Sequence, residues 1–290
     1  MSLKNAKIEN MKYKKWIIII VSISLLLALM MYKVLYINPH NILIREEIIK
    51  SDKLNSQNDE LIIVFFSDTH LIGYTNNDDL IKTCELINSV KADAVLFGGD
   101  LIDEFSQKGV NDDNRANIID NLSKIDARLG KFAVLGDHDN NKDEIKQILT
   151  DSGFEIITNT NKQIYYDSNA YFNLIGIDSL VNGSPNISSA YEGVTSDAYT
   201  IVLTHTPDIF SDLYLNQTDL VLAGHSHGGQ IYIPFFEMFY RVEGSKEYSH
   251  GKHYKGGATL DITNGVGLTN KSTRLNADAE VVFYKLQSNN

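Results

Sequence analysis

Residues 61–70 read LIIVFFSDTH. The first six are all apolar, which is typical of a strand that is buried on both faces. A helical pattern follows at 78–90, with acidic residues in its first turn, and the next apolar run, AVLFG, occupies 94–98. Because a strand, a helix and a strand in succession form a right-handed crossover, this stretch predicts a mainly parallel sheet covered by helices.

The same alternation continues to about residue 153, and strands then dominate the second half of the chain. Besides 61–67 and 94–98, we expect strands at 41–49 (an edge strand), 132–135, 163–167, 171–178, 199–204, 219–223, 230–234, 258–263 and 279–286. Further helices are expected around 118–125 and 145–149, each followed by a glycine stop signal. The predicted class is α/β: two packed mixed β-sheets flanked by helices, a four-layer α/β/β/α sandwich, with an N-terminal transmembrane helix.

The N-terminal apolar segment is long enough to cross a membrane. Residues 16–32 carry no charge, and the apolar character resumes after Lys33. At about 1.5 Å per residue, a helix over 16–37 spans roughly 32 Å, enough for the hydrocarbon layer. A cleaved signal peptide is the alternative, although no clear small-residue cleavage site follows. We expect a cytoplasmic basic tail at 1–15, a transmembrane anchor at 16–37 and one folded domain at 38–290.

Charge is distributed unevenly along the chain. Six lysines and one glutamate give residues 1–36 a net charge of +5, so the −11 of the whole chain leaves −16 on residues 37–290. Because cytoplasmic flanks carry the excess of lysine, we expect the N-terminus in the cytoplasm and the domain on the outer side of the cell membrane. An acidic domain repels polyanions, which argues against general nucleic-acid binding and against an exported nuclease.

The single cysteine, Cys84, is expected to be a buried packing residue.

Polar clusters directly follow five of the predicted strands. They are Asp68-Thr69-His70, Gly99-Asp100-Leu101-Ile102-Asp103, Gly136-Asp137-His138-Asp139, His205 and Gly224-His225-Ser226-His227. Each cluster alone is commonly an ordinary turn. Because the carboxyl ends of parallel strands meet at one edge of a sheet, the five together are expected in one crevice. Residues two apart on an extended chain point the same way, so both members of Asp-x-His or His-x-His can face one ion.

Crowded carboxylates and imidazoles favour a bound cation, because burying them without one is unfavourable. Oxygen and imidazole ligands without thiolate suit Mn, Fe or Zn. The clusters supply more candidate ligands than one transition ion takes, so we expect two divalent or trivalent metal ions.

These motifs resemble those of the calcineurin-like dimetal phosphoesterase superfamily over roughly residues 60–233: D-x-H, G-D-x-x-D, G-N-H-[DE], a later H, and G-H-x-H. The resemblance implies that Asp68, His70 and His227 hold the first metal, that Asp137, His205 and His225 hold the second, and that Asp100 bridges both. It also implies that His138 contacts the scissile phosphate and that Asp103 orients His138. The ending GHSHGGQIYIP and the anchor look like the bacterial membrane-linked branch, which includes relatives that cleave UDP-2,3-diacylglucosamine.

The domain at 38–290 is then expected to be a metallophosphoesterase domain that hydrolyses a phosphate ester or anhydride, with a hydroxide shared by two ions attacking phosphorus in line. The nearby anchor favours a membrane or cell-envelope substrate, either a phosphorylated small molecule or a lipid-linked one. His250 and His253, in SHGKHYKG, are expected in a surface loop, and contact with the substrate is the alternative.

One position departs from the family pattern: residue 137 is Asp, where the family usually has Asn. We expect the extra negative charge to tighten the second metal and to make the bound water less acidic. The same departure is the support for an alternative function, a catalytically impaired metal-binding sensor or scaffold at the membrane.

Overall fold

The computed structural model describes residues 3–54, 60–103, 109–139, 143–233, 237–238 and 241–289. The α-helices are α1 (Leu3–Tyr32), α2 (Asn77–Ser89), α3 (Asp112–Ser123), α4 (Asp143–Asp151) and α5 (Ile187–Ala190). The strands are β1 (Leu43–Ser51), β2 (Leu61–Phe66), β3 (Ala94–Phe97), β4 (Gly130–Ala133), β5 (Phe154–Ile156), β6 (Thr160–Tyr165), β7 (Tyr171–Ile177), β8 (Tyr199–Thr204), β9 (Leu220–Ala223), β10 (Tyr232–Ile233), β11 (Glu237–Met238), β12 (Gly251–Lys255), β13 (Ala258–Ile262) and β14 (Glu280–Ser288).

The first sheet has the strand order β1-β14-β2-β3-β4-β5. Strands β2 to β5 run parallel, and helices α2, α3 and α4 lie in the three crossovers between successive strands. Helix α2 begins with a capping box, in which the Asn76 side chain accepts from the backbone N–H of Asp79 and the Asp79 carboxylate accepts from that of Asn76. Strand β14 inserts antiparallel to β2, and β1 pairs parallel with it at the edge. The first sheet is therefore mixed.

The second sheet has the order β12-β13-β9-β8-β7-β6. Its four central strands, β13, β9, β8 and β7, are parallel, and an antiparallel strand closes each side. Strands β2, β3 and β4 of the first sheet and β8 and β9 of the second all lead into the polar loops, which lie together.

Three apolar clusters separate the layers. One lies between the first sheet and helices α2 to α4, and includes Phe66, Ile87 and Leu149. The second fills the space between the two sheets, around Phe65 and Phe172. The third lies on the outer face of the second sheet, beneath α5 and the 3-10 helix Pro207–Asp212. Two mixed sheets flanked by helices confirm the predicted four-layer class, and Cys84 is buried in the first cluster, as expected.

The structure corrects two local predictions. The stretch 230–234 was expected to add a strand to a sheet, but β10 covers only Tyr232–Ile233 and pairs with β11 in a separate two-stranded ribbon. His253 was expected in a surface loop, but it lies in edge strand β12. Most side chains of this strand are exposed, so no apolar run in the sequence marks it. His250 does lie in the loop that precedes β12.

Helix α1 extends into a short π-helical turn, Lys33–Ile37, and a 3-10 turn, Asn38–His40. The segment Tyr13–His40 is long and apolar enough to span a membrane by length and composition, with a mean hydropathy of 2.5 over its most apolar window. Its apolar side chains are exposed as far as the turn, where Val34, Asn38 and Pro39 become buried against the domain. Among its side chains from Tyr13 onwards, those that pack against the domain therefore lie at the C-terminal end of this segment.

Candidate metal centre

The candidate ligands lie in loops that begin where β2, β3, β4, β8 and β9 end. Several of them adopt left-handed backbone conformations that non-glycine residues rarely take, with φ of 56° at Asp68, 40° at His70, 57° at Asp100 and 69° at His225. Such residues are held by their surroundings and concentrate at functional sites. The sharp turns point the side chains back over the strand ends rather than into solvent.

Two glycines of the motifs make room for the carboxylates. A Cβ at Gly136 would collide with the Asp100 carboxylate, and one at Gly224 would collide with the Asp68 carboxylate and the Ser67 hydroxyl. The glycine in Gly-Asp and Gly-His is therefore required by close approach of the backbone to a ligand from another loop.

One group of ligands joins four residues from four loops: Asp100, Asp137, His205 and His225. Oδ1 of Asp137 lies 3.0 Å from both Nε2 of His205 and Nδ1 of His225, and Oδ2 of Asp100 lies 3.3 Å from Nε2 of His205. The other ring nitrogens donate to backbone carbonyls, Nδ1 of His205 to Gly98 at 2.7 Å and Nε2 of His225 to Glu243 at 2.6 Å. These hydrogen bonds fix the tautomers and leave the facing nitrogens with lone pairs for a cation.

A second group joins Asp68, His70 and His227. Nε2 of His227 lies 3.0 Å from Nε2 of His70 and 3.6 Å from Oδ1 of Asp68. Asp68 is fully buried, and its carboxylate accepts from the backbone N–H of His225 at 3.0 Å. The Nε2 atoms of the two imidazoles thus point at a common position next to a carboxylate.

Asp100 connects the two groups. Its Oδ2 lies 3.5 Å from Nε2 of His70 and 3.3 Å from Nε2 of His205, so one carboxylate faces both sets. Its Oδ1 accepts from the backbone N–H of His138 at 3.0 Å. A third set of potential ligand atoms, from His70, Asp100 and His138, overlaps both groups.

The carboxylates and the imidazoles of the four-residue group stabilise one another's charged forms. Burial opposes ionisation of Asp100 and Asp137, but the adjacent imidazoles outweigh it and hold the pKa of both carboxyl groups below its usual range. Burial likewise disfavours the charged form of His205, yet the charges of Asp100 and Asp137 raise the pKa of this imidazole well above its ordinary value. The negative field that draws a proton to Nε2 of His205 also favours a metal cation at the same place.

The imidazoles of the other group behave differently. Burial lowers the pKa of His70 and lowers that of His227 further, with the neighbouring His70 and Arg274 adding to the effect on His227. Both rings are therefore neutral, which is the form that binds metals. Nδ1 of each ring is buried and, among the residues described, has no hydrogen-bond partner.

This donor set fits a pair of metal ions. Within each group the potential ligand atoms lie within 4.8 Å of one another, and they consist of carboxylate oxygens and imidazole nitrogens. Three fully or largely buried carboxylates in contact with histidines need a positive charge between them to be stable. The seven residues expected to bind metal, Asp68, His70, Asp100, Asp137, His205, His225 and His227, are all brought together.

The two residues expected to act on substrate lie at the same site. The His138 ring is 5.1 Å from that of His70 between centroids, and its Nε2 is 3.5 Å from Oδ2 of Asp137. Asp103 is buried, its carboxylate packs against Gly73, and its charge acts on His70. The sequence motif thus places both beside the metal ligands.

Asp139 is a residue of the site that we did not single out from the sequence. It is fully buried, and its carboxylate accepts from the backbone N–H groups of Asp100 (2.6 Å), Leu101 (3.0 Å) and Gly136 (3.1 Å). Burial, with the charge of Asp100, raises the pKa of Asp139 to about 6. Its place in the run Gly136-Asp137-His138-Asp139 was the available signal. It ties two ligand loops to each other.

A cavity of about 680 Å³ opens over these ligands. His70, Asp137 and His138 line one end. Val181, Ile231 and Val242 add apolar surface to the walls, and polar residues, among them Glu243 and Lys271, also line the cavity.

Comparison with known proteins identifies the family of this chain. The model of the calcineurin-like phosphoesterase family matches residues 61–229. The uncharacterized metallophosphoesterase YkuE of Bacillus subtilis is 30% identical over 88% of this chain and 89% of its own, and YkoQ of the same organism is 28% identical over 78% and 84%. A dimetal phosphatase from Danio rerio of known structure aligns with a TM-score of 0.39 and 11% identity over 72% of this chain and 88% of its own. The chain therefore belongs to the calcineurin-like phosphoesterases, metal-dependent hydrolases of phosphoric esters.

Proposed function

We propose that this protein hydrolyses a phosphate ester or anhydride of a membrane or cell-envelope substrate, using two metal ions. The observation that carries the proposal is the position of Asp100, whose Oδ2 faces His70 of one ligand group and His205 of the other. When bound, two such ions supply an acidified water and neutralise charge on the phosphoryl group. Carboxylate and imidazole ligands favour Mn, Fe or Zn in this role.

His138 is the side chain proposed to contact the scissile phosphate. Its backbone N–H is held by Asp100 and its ring lies beside His70, so it is fixed next to the ligand loops while 16% of its side chain remains exposed towards the cavity. A protonated imidazole there would donate to the leaving oxygen as the bond to phosphorus breaks. Asp103 is proposed to orient His138 from the buried side of the loop.

The cavity supports an amphiphilic substrate. Its ligand end suits a phosphoryl group, whereas its walls around Val181, Ile231 and Val242 suit an apolar chain. The lining residue Thr273 directly precedes Arg274, whose backbone N–H donates to the carbonyl of Val34 in the π-helical turn after α1. This contact between the cavity wall and the end of the apolar helix supports a cavity that lies near the bilayer, and with it a lipid-linked phosphate rather than a freely soluble one.

The experiment that tests this function combines metal analysis with substrates. The full chain is purified in detergent, its metals are measured, and Mn²⁺, Fe or Zn is restored to protein stripped by chelator. Turnover is then compared on a soluble activated phosphodiester, phospholipids and lipid-linked nucleotides, with His138→Gln as the variant. We expect two ions per chain, preference for the lipid-linked substrates and loss of turnover in the variant. Two bound ions without turnover on any substrate would favour the sensor or scaffold instead.

The topology is proposed from the lysines that precede the anchor. With the N-terminus in the cytoplasm, the domain lies on the outer side of the membrane, as a single-pass protein. Protease added to intact cells is expected to remove the domain and leave a fragment of the anchor and tail. A chain that remains whole in intact cells, but is cleaved after the cells are opened, would refute this orientation.

Asp137→Asn tests the residue that departs from the family pattern. Oδ1 of Asp137 lies 3.0 Å from the facing nitrogens of His205 and His225, and the carboxylate adds a full negative charge to the second ligand group. The variant is expected to bind the second ion about tenfold or more weakly, because a carboxylate attracts a cation more strongly than an amide does. Its pH–rate profile should move to lower pH, since one negative charge fewer lies beside the ions. Chelator titration and the profile measure both effects, and an unchanged affinity would contradict the assignment.

A further inference from the structure

Arg274 is the largest fully buried side chain among the described residues. Its guanidinium donates to four backbone carbonyls: Ala277 at 2.6 Å, Asn264 at 3.0 Å, Gly265 at 3.1 Å and Gly267 at 2.6 Å. Burial lowers the pKa of Arg274 to about 10, which still leaves it charged at neutral pH. A buried cation that donates hydrogen bonds to three carbonyls of one loop fixes the conformation of that loop.

The gripped loop, residues 264–267, lies against the first ligand loop. The N–H of Gly267 donates to the carbonyl of Asp68 at 2.7 Å, and that of Val266 donates to the carbonyl of Ser67 at 3.0 Å. A Cβ at Gly267 would collide with the Thr69 carbonyl, and one at Gly265 with the Asp68 side chain. Because Asp68 and His70 have left-handed backbones, they need such outside support to keep their ligand atoms in place.

The backbone of Arg274 is in turn held by the anchor exit, which we define as Val34–His40. The N–H of Arg274 donates to the carbonyl of Val34 at 3.3 Å, and its carbonyl accepts from Nδ2 of Asn38 at 3.0 Å. Asn38 is itself buried. A continuous series of hydrogen bonds therefore runs from the anchor exit through Arg274 and Gly267 to Asp68.

We propose that Arg274 is a positioning residue that couples the seating of the anchor exit to the metal group formed by Asp68, His70 and His227. A correctly docked anchor exit fixes the backbone of Arg274 by hydrogen bonds. The Arg274 guanidinium then fixes loop 264–267, and this loop supports the backbone of Asp68. The second group, built on Asp137, His205 and His225, lies one step further along, because the backbone N–H of His225 donates to the Asp68 carboxylate at 3.0 Å. Disturbing the exit therefore weakens the first ion more than the second.

The anchor exit provides a matched pair of variants. Asn38→Ala removes the hydrogen bond to Arg274, while His40→Ala removes the other described side-chain bond of the exit, from Nδ1 of His40 to Asp79 at 2.9 Å, which leads to helix α2 instead. Both are made in the full chain in detergent, and metal affinity is measured by chelator titration. Asn38→Ala is expected to weaken one of the two ions about fivefold, and Arg274→Lys about 10-fold to 100-fold. His40→Ala should leave both affinities unchanged.

The His205→Ala background identifies which ion is affected, because it leaves the first group as the main remaining site. If Asn38→Ala still weakens the ion bound there, the coupling is confirmed. Weakening of the second ion alone, or equal effects of the two exit variants, would overturn it. Hydrogen exchange of the amides at 67–70 and 264–268 gives a readout without metal: it should accelerate in Asn38→Ala and not in His40→Ala. These measurements do not depend on turnover, so a failure to find a substrate leaves the coupling testable.

Discussion

Asp100→Asn is expected to abolish binding of at least one metal ion and to reduce phosphoesterase turnover by about 10³-fold or more. The physical reason is the use of both carboxylate oxygens: Oδ1 accepts from the N–H of His138, while Oδ2 faces His70 and His205. An amide cannot reproduce this. Its NH₂ would either oppose the backbone N–H of His138 or replace the oxygen between the two ligand groups.

Metal content by elemental analysis and turnover on the best substrate of the panel measure the effect. Asp113→Asn is the matched control, since it removes the same charge from an exposed position in the first turn of α3. It should keep two ions and full turnover. If Asp100→Asn also retained two ions and near-normal turnover, Asp100 would not connect the two groups.

The largest effect on stability is expected for Arg45→Met, at about 3 kcal/mol or more of unfolding free energy. Arg45 of β1 donates through Nη1 and Nη2 to Asp261 of β13 at 2.9 and 3.0 Å, and through Nε to Glu280 of β14 at 3.0 Å. Asp261 is 1% exposed and also accepts from the Tyr284 hydroxyl at 2.8 Å. Removing the guanidinium leaves the buried Asp261 carboxylate without its ion-pair partner and takes a salt bridge from Glu280, between the two sheets.

Lys53→Met is the control for Arg45→Met. Lys53 also pairs with a carboxylate, Asp219, at 2.8 Å, directly before strand β9 of the second sheet. That carboxylate is more exposed than Asp261 and keeps a backbone donor, the N–H of Thr200. Its loss should change stability by about 1 kcal/mol or less. Thermal unfolding of the full chain in detergent should show a Tm lowered by roughly 6–12 °C for Arg45→Met and far less for Lys53→Met. Equal shifts would mean that burial of Asp261 is not what makes the pair important.

The order of helices and strands was predictable where the apolar pattern of a segment matches the element that the segment forms in the fold. Strand β8 was expected at 199–204 and occurs there, and the helix expected at 78–90 runs from Asn77 to Ser89. The prediction failed where the pattern is weak. Strand β12 has mostly exposed side chains and pairs on one side alone, so no apolar run marks it. Strand β10 carries apolar residues but joins neither of the two six-stranded sheets.

The site was predictable for a different reason. Its ligands sit in short motifs at strand ends, so the parallel topology alone brings them to one edge. Asp139 shares a motif with two of these residues, whereas Arg274 and Asn38 carry no comparable signal. Arg274 is one of many charged residues in an acidic chain, and only the structure shows that its guanidinium is enclosed by carbonyls from residues 264–277.

The sequence by itself determined the class of fold, the apolar N-terminal segment and the residue types of the metal centre, because periodicity and motif spacing are properties of neighbouring residues. The tertiary structure alone decided which carboxylate faces both ligand groups, which loop supports Asp68 and where the anchor exit docks. Those features depend on approaches of a few ångströms between residues as far apart as Asn38 and Arg274, and the local sequence around either residue places no constraint on such a contact.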